Sequence, residues 1–521
     1  MKVIVDSRVR VGPAGAAELE RRGALASALE LCTHANPDFA EWLRYRRGRP
    51  PARKLCSARR DRRGGWSFPR GRARELIGLF GPGVEVVDAR VFAAAARVEW
   101  HGHPARPYQR RLIASALASL ERRDWVAGLW RSPQGSGKTD TALELVSKMG
   151  LRTLVVAPTS GIFSQWEERT RRFLGVEPGV LQGSRRRVGD LVTVGMQQTL
   201  VRCVRDVAHE FGAVVFDEAQ LGASRTYQEV IDATPAAFRL AVSADERRAD
   251  EREFLVYDQF GDGCERVTRD EVKEAGGIVE VDVVVVPTAF EAGWYRMLDP
   301  ADKFEQRHRL LDELVEDEAR NELVARLVRG CLDEGEQVVV LSDRREHCDR
   351  LDAMVCRTTP SVLLVGGDRQ FESNREALAS GKVRVAVGTL KAIGVGFESH
   401  RELARGVLAT PFGNNVRAEM QVNQFLGRYA RPAAGKRRAV VYYLLDERVF
   451  GVRHVHLLRR WRGKDHVFVQ VGDRHEDVNE WLKNKKESKV DAEERLEGDG
   501  EGVTLAELFS GGGGGPGVGG W

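Results

Sequence analysis

Ser132-Pro133-Gln134-Gly135-Ser136-Gly137-Lys138-Thr139 sets glycines, a lysine and a hydroxyl in the order that cradles phosphate. Backbone N–H groups can reach phosphate oxygens only where no Cβ intervenes, which Gly135 and Gly137 provide, with Gln134 and Ser136 completing the loop. Lys138 would place a point charge on the β- and γ-phosphates. Thr139 would offer its hydroxyl to Mg²⁺, and a helix running on from Asp140 would aim its positive end at the anion. The pattern's first position is Ser132 rather than glycine. About eighty residues later, Asp217-Glu218-Ala219-Gln220 follows the apolar run Val214-Val215-Phe216. There Asp217 would hold Mg²⁺ through water, and Glu218 would orient the water that attacks the γ-phosphate. A third element, Gln424-Phe425-Leu426-Gly427-Arg428-Tyr429-Ala430-Arg431, lies far downstream. On a helix Gln424, Arg428 and Arg431 share a face. Facing the γ-phosphate across a cleft, the two arginines would neutralise transition-state charge, an effect of about 10³–10⁵ in rate. Upstream of the loop stands Arg106-Pro107-Tyr108-Gln109, where a Gln amide can pair with both N6 and N7 of adenine and so select ATP.

Such groups need a rigid frame. From Pro104 onward, short apolar runs at 125–130, 154–157, 191–194, 213–216 and 240–242 alternate with helical patterns, the mark of parallel βαβ units. Each run ends in polar or glycine-rich residues, and ligands of parallel sheets sit beyond the carboxyl ends of the strands. Leucines between 303 and 332 recur at helical spacing. A second series follows at 338–341, 362–364, 383–387, 407–409 and 439–443. The expectation is an α/β protein with an N-terminal unit over 1–98, one parallel-sheet lobe over 99–290, a second over 291–470, and a charged then glycine-rich tail over 471–521 without means of burying apolar area.

The net charge of +5 is unevenly spread. Residues 44–74 hold thirteen Arg or Lys and one acid, Asp61, which leaves the rest of the chain net acidic. A polyanion partner fits this segment, through Arg59, Arg60, Arg62 and Arg63, and so does an Arg-rich solvated loop. Trp42, Tyr45, Trp66 and Phe68 are interleaved with the arginines; they suit base stacking or the core of a small domain, and the core is the commoner use. No apolar run reaches membrane-spanning length, no signal-peptide segment opens the chain, and the seven cysteines follow neither zinc nor disulfide spacing. A reducing cytoplasm is the expected compartment: nucleoid-associated, or a host's if the chain is viral.

In order, these motifs resemble those of superfamily 2 helicases and translocases, with two tandem RecA-like lobes. Ala157-Pro158-Thr159 with Gln165-Trp166 is similar to motif Ia, Thr193-Val194-Gly195-Met196-Gln197 to motif Ic, and Ser243-Ala244-Asp245 to motif III. Leu341-Ser342-Asp343-Arg344 resembles motif IV; Gly388-Thr389 with Gly394-Val395-Gly396-Phe397-Glu398 resembles motif V. The resemblance implies ATP and Mg²⁺ as cofactors, with Gly396 and Glu398 joining the nucleotide site. It also implies backbone contacts to a nucleic-acid strand from Pro158, Thr159, Gln165, Thr193, Gln197, Ser342, Arg344 and Thr389. Arg247-Arg248-Ala249-Asp250, Asn36-Pro37 and Pro69-Arg70-Gly71 resemble features of XPB-like and phage branch-migration members. The implied partner is single-stranded, forked or branched DNA, in repair, recombination or replication. An RNA track is the alternative, as is a non-unwinding DNA-binding subunit with a nucleotide switch. Gln220, Asp245 and Glu398 depart from the common pattern, and Asp245 bears on strand separation.

Overall fold

The computed structural model describes residues 1–45, 49–219, 224–244, 251–298, 306–389, 392, 404–411, 416–433, 436, 438–451, 455–456, 458–459 and 466–485. Gln220, Asp245, residues 247–250, Gly396, Glu398 and the glycine-rich tail lie outside the described residues.

Two eight-stranded sheets carry most of the chain. The first runs in the order Arg185–Arg187, Gly179–Gln182, Val192–Met196, Thr153–Ala157, Ala213–Asp217, Phe238–Ser243, Gly128–Arg131, Cys264–Arg266. The second runs Ser361–Leu364, Val385–Thr389, Val338–Ser342, Arg405–Leu408, Arg438–Leu445, Glu280–Pro287, Val467–Val471, Arg474–Asp477. Within each sheet every pairing is parallel except at one edge, where Arg185–Arg187 and Arg474–Asp477 run antiparallel. These are the two tandem RecA-like lobes of the α/β class. Continuous apolar strands result because helices cover both faces. Val155 and Ala157 face one core with Trp130, Leu143 and Trp166, while Leu154 and Val156 face another with Phe216, Tyr227 and Phe260.

Two expectations need correction. Strand Glu280–Pro287 belongs to the second sheet, paired along its length with Arg438–Leu445, so the lobes divide before residue 280 rather than near 290. The second sheet also extends past 470: Val467–Val471 and Arg474–Asp477 pair, and Trp481 and Leu482 are buried behind them. The helical pattern between 303 and 332 holds two helices, Arg307–Glu316 and Glu318–Asp333. They are divided at Asp317, whose carboxylate accepts the Arg320 N–H and caps the second helix.

The N-terminal unit is a five-stranded sheet with helices Pro13–Arg21, Ala24–Leu31 and Ala73–Phe80 over a core of Val3, Val5, Leu19, Phe68, Leu76 and Phe80. Phe68 is buried, and Trp66 stacks on it, so these two aromatics serve packing. The unit is keyed into lobe one by arginines. Arg70, fully buried, donates to the carbonyls of Asp6 and Ala236. Arg72 donates to Asp258 at 3.0 Å, and the same buried carboxylate meets His34 and Ser57. A Cβ on Gly71 would lie 2.5 Å from the Asp258 carbonyl oxygen, which is why a glycine follows Arg70. Part of the basic segment is thus consumed by docking. Arg59 pairs with Asp232, and Arg60, Arg62 and Arg63 remain exposed. Among the described residues, six cysteines are free thiols, and no helix is long and apolar enough to cross a membrane.

Candidate active site

The phosphate loop joins strand Gly128–Arg131 to helix Lys138–Met149. Gly135 and Gly137 hold φ of +83° and +78°, backbone angles that a side chain would strain. The Ser132 hydroxyl donates to that of Ser136 at 2.6 Å, tying the ends of the loop together, which accounts for serine at the first position. Lys138 Nζ donates to the carbonyls of Ser132 (3.0 Å) and Pro133 (3.2 Å), folded back on its own loop. Tyr108 and Gln109 both bond the Ser136 carbonyl from helix Pro107–Glu121. The other end of the Gln109 amide accepts the Arg106 N–H at 2.8 Å, so pairing with adenine requires these bonds to exchange.

Asp217 ends the strand Ala213–Asp217 and is buried. Its carboxylate accepts the Trp166 indole N–H at 2.8 Å and the Glu218 N–H at 2.9 Å, while its carbonyl accepts the Tyr227 hydroxyl. Burial, and then the charge of Glu218, push the Asp217 pKa up; Trp166 and Lys138 oppose this. Glu218 sits at φ +52°, a left-handed conformation that costs a non-glycine residue about 1–2 kcal/mol. That strain persists where function holds a side chain in place. Burial lowers the Lys138 pKa, Glu218 and Asp217 act against the shift, and Arg431 adds to it. Lobe two therefore reaches the loop: the charge of Arg431 is felt at Lys138.

Helix Val416–Tyr429 carries the downstream element. A Cβ on Gly427 would lie 2.5 Å from Oε1 of Gln134, so this helix rests directly on the phosphate loop. The helix ends at Tyr429. Arg431 thus stands in the turn beyond it, its N–H on the Arg428 carbonyl, rather than on a common helix face. The Gln424 side chain lies outside what the structure describes.

A single carboxylate beside a hydroxyl suits Mg²⁺, which keeps waters and takes the rest of its shell from phosphates. Asp217 and Thr139 would supply such a pair, and a carboxylate whose charge is penalised by burial would gain from a cation. Among the described residues no group of three His, Cys, Asp or Glu forms a denser metal site.

The proposed strand-contacting residues divide. Thr159 caps helix Ser160–Leu174, Gln165 is half-buried one turn on, and Pro158 is buried ahead of them. Thr389 accepts the Ala392 N–H, and Arg344 pairs with Asp312 while contacting His308. Gln197 donates to Ser224 and Thr226 and is mostly buried. Thr193 and Ser342 are corrected: both are buried. Thr193 lies within strand Val192–Met196, accepting the Gly189 N–H. The Ser342 oxygen accepts from Thr410 and from the Arg344 N–H, so its own proton goes to His347 Nδ1. Neither hydroxyl is exposed to solvent. Trp166 and Tyr108 stood inside recognised motifs, yet nothing local revealed that one would orient Asp217 and the other brace the loop.

Residues 102–246 match the family described as "Type III restriction enzyme, res subunit". Over 145 residues the chain is 29% identical to "DNA 3'-5' translocase XPB2" of Sulfurisphaera tokodaii, covering 28% of this chain and 31% of that protein. Over 322 residues it is 24% identical to "Probable helicase D10" of Escherichia phage T5, covering 61% of this chain and 68% of the phage protein. The chain thus spans about a third of the archaeal relative's length. The solved Hef helicase domain of Pyrococcus furiosus overlays with a TM-score of 0.48 at 16% identity, over 68% of this chain and 98% of its own. In its ordered motifs and in these sequence relatives, the chain is similar to superfamily 2, the helicases and translocases.

Proposed function

We propose that this protein hydrolyses ATP with Mg²⁺ and uses the cycle to move along, and remodel, branched or partly single-stranded DNA. The observation that carries the reading is the packing of Gly427, on the arginine-bearing helix of lobe two, against Gln134 of the phosphate loop, which brings charge-handling groups from both lobes to one cleft. In this reading Asp217 and Thr139 would hold Mg²⁺, which supplies charge neutralisation at the phosphates. Lys138 exchanges its two carbonyl partners for phosphate oxygens. Glu218 orients the attacking water and polarises it. Arg428 and Arg431 stabilise charge on the transferred group, so hydrolysis proceeds only with the lobes together. A DNA track is favoured by the relatives, one described as a DNA 3'-5' translocase, and by the exposed Arg60, Arg62 and Arg63. Thr159, Gln165, Arg344 and Thr389 would grip the backbone, as a motor that ignores sequence requires. Duplex stacking averages about 1.4 kcal/mol per step, so one ATP can open one or two base pairs.

The test is ATP turnover with single-stranded, duplex and forked DNA and with RNA, beside a forked-DNA unwinding assay. Lys138→Ala and Glu218→Gln should each lower turnover by at least about 10³-fold and abolish strand separation. Unwinding that survives either change overturns the proposal. Stimulation by RNA alone moves the track to RNA. DNA binding without turnover leaves a nucleotide-switched binding subunit.

A further inference from the structure

The stretch between the lobes, residues 276–279, touches both halves of the proposed nucleotide site. Helix Arg269–Glu274 ends in a fixed way. The Gly276 N–H bonds the Lys273 carbonyl and the Gly277 N–H bonds the Val272 carbonyl, with Gly276 at φ +66°. This pair of bonds is the Schellman arrangement, which turns the chain sharply without loosening it. Gly277 is pressed in place: a Cβ there would lie 2.7 Å from Val272 Cγ1 and 3.1 Å from the Tyr108 hydroxyl, the group that bonds the loop at Ser136. Ile278 follows, buried, and a Cβ on Gly135 would lie 2.8 Å from its Cγ2. The Val279 N–H then bonds the Ala430 carbonyl at 2.7 Å, between Arg428 and Arg431. On the other side of the loop stands Gly427 against Gln134. Gln134 and Gly135 are therefore held between Ile278 of the linker and the helix of lobe two.

We infer that Ile278 is a positioning residue for the arginine-bearing turn. It bears on the phosphate loop through its side chain and, through Val279, on the backbone that carries Arg431. The inference rests on the ATPase reading above. Uptake of a triphosphate draws Lys138 away from the carbonyls of Ser132 and Pro133 and resets the loop at Gln134 and Gly135. The linker passes that change to Ala430 by direct packing and one main-chain bond. Truncating Ile278 leaves the loop's own phosphate ligands intact and slackens the register of the turn.

The experiment is a double-mutant cycle in the full chain, with saturating DNA, reading kcat and KM for ATP separately. Ile278→Ala should lower kcat about tenfold with KM unchanged within about twofold, and Ile278→Val should fall between it and the parent, because a misplaced catalytic group costs rate rather than ground-state binding. In an Arg431→Ala background the Ile278 substitution should have no further effect, since residues acting through one another are not additive. An unchanged kcat, a loss confined to KM, or an equal loss in both backgrounds overturns the inference. If the alanine variant does not fold, the same cycle with Ile278→Val decides. Failure of the ATPase reading is told apart by the parent protein itself, which would then show no turnover sensitive to Lys138→Ala.

Discussion

Asp217 carries two opposed demands: it must be charged to bind a cation, yet burial and Glu218 disfavour its charge. Its folded pKa, raised to about 6, stands above the unfolded value, so in the free protein the neutral form is favoured only below about pH 6. The site then works against stability as pH rises from the unfolded pKa through the raised one. Binding of Mg²⁺ with ATP selects the carboxylate and expels the proton. Apparent nucleotide affinity in Mg²⁺ should therefore increase with pH across that window, with net proton release in calorimetry in buffers of different ionisation enthalpy. Asp217→Asn should remove the release while weakening binding. His347 presents the reverse case. Buried between Ser342 and Asn321, it has its pKa pushed down to about 3 by burial and by the charges of Arg320 and Arg350. The unfolded chain then binds the proton that the fold refuses. Its contribution is fully present above about pH 6.5 and is lost at up to about 1.4 kcal/mol per unit as pH falls below it. Denaturant midpoints between pH 7 and 4.5 should show this slope, and His347→Gln should flatten it.

At the scale of elements, a buried ion pair fastens lobe two. Arg320 from helix Glu318–Asp333 donates to Asp446, just past strand Arg438–Leu445, and Thr288, just past strand Glu280–Pro287, donates to the same carboxylate at 2.6 Å. Both charged side chains are wholly buried. Removing one partner strands the other charge without water, so Asp446→Ala should cost about 3–5 kcal/mol, measured by urea unfolding. The valines of strand Glu280–Pro287 mark it as buried, and its membership of the second sheet is decided by its pairing with Arg438–Leu445. Hydrophobicity marks a strand as buried but does not say which neighbour pairs with it. The short strands Gly179–Gln182, Cys264–Arg266 and Val467–Val471 are too brief, at three to five residues, for their pattern to mark them as strands.

The whole molecule couples three units. The N-terminal sheet is bound to lobe one through Arg70, Arg72 and Asp258, so Arg60, Arg62 and Arg63 travel with that lobe as a fixed basic surface. If they contact phosphates, replacing all three with alanine should reduce the slope of log affinity against log salt by about 2 on single strands. ATP turnover without DNA should remain as in the parent. An unchanged slope would return this segment to the solvated-loop reading. The sequence by itself marked the candidate chemistry of lobe one, because the phosphate loop, the proposed magnesium carboxylate and the proposed water-orienting carboxylate each reside in a few contiguous residues whose backbone geometry is local. Tertiary structure alone decided that the arginine-bearing helix rests on the phosphate loop at Gln134, that Thr193 and Ser342 face inward, and that Arg70 is a buried clamp. Those outcomes depend on pairings between residues far apart in the chain and on which face of an element is covered, and neither is encoded in any short run of residues.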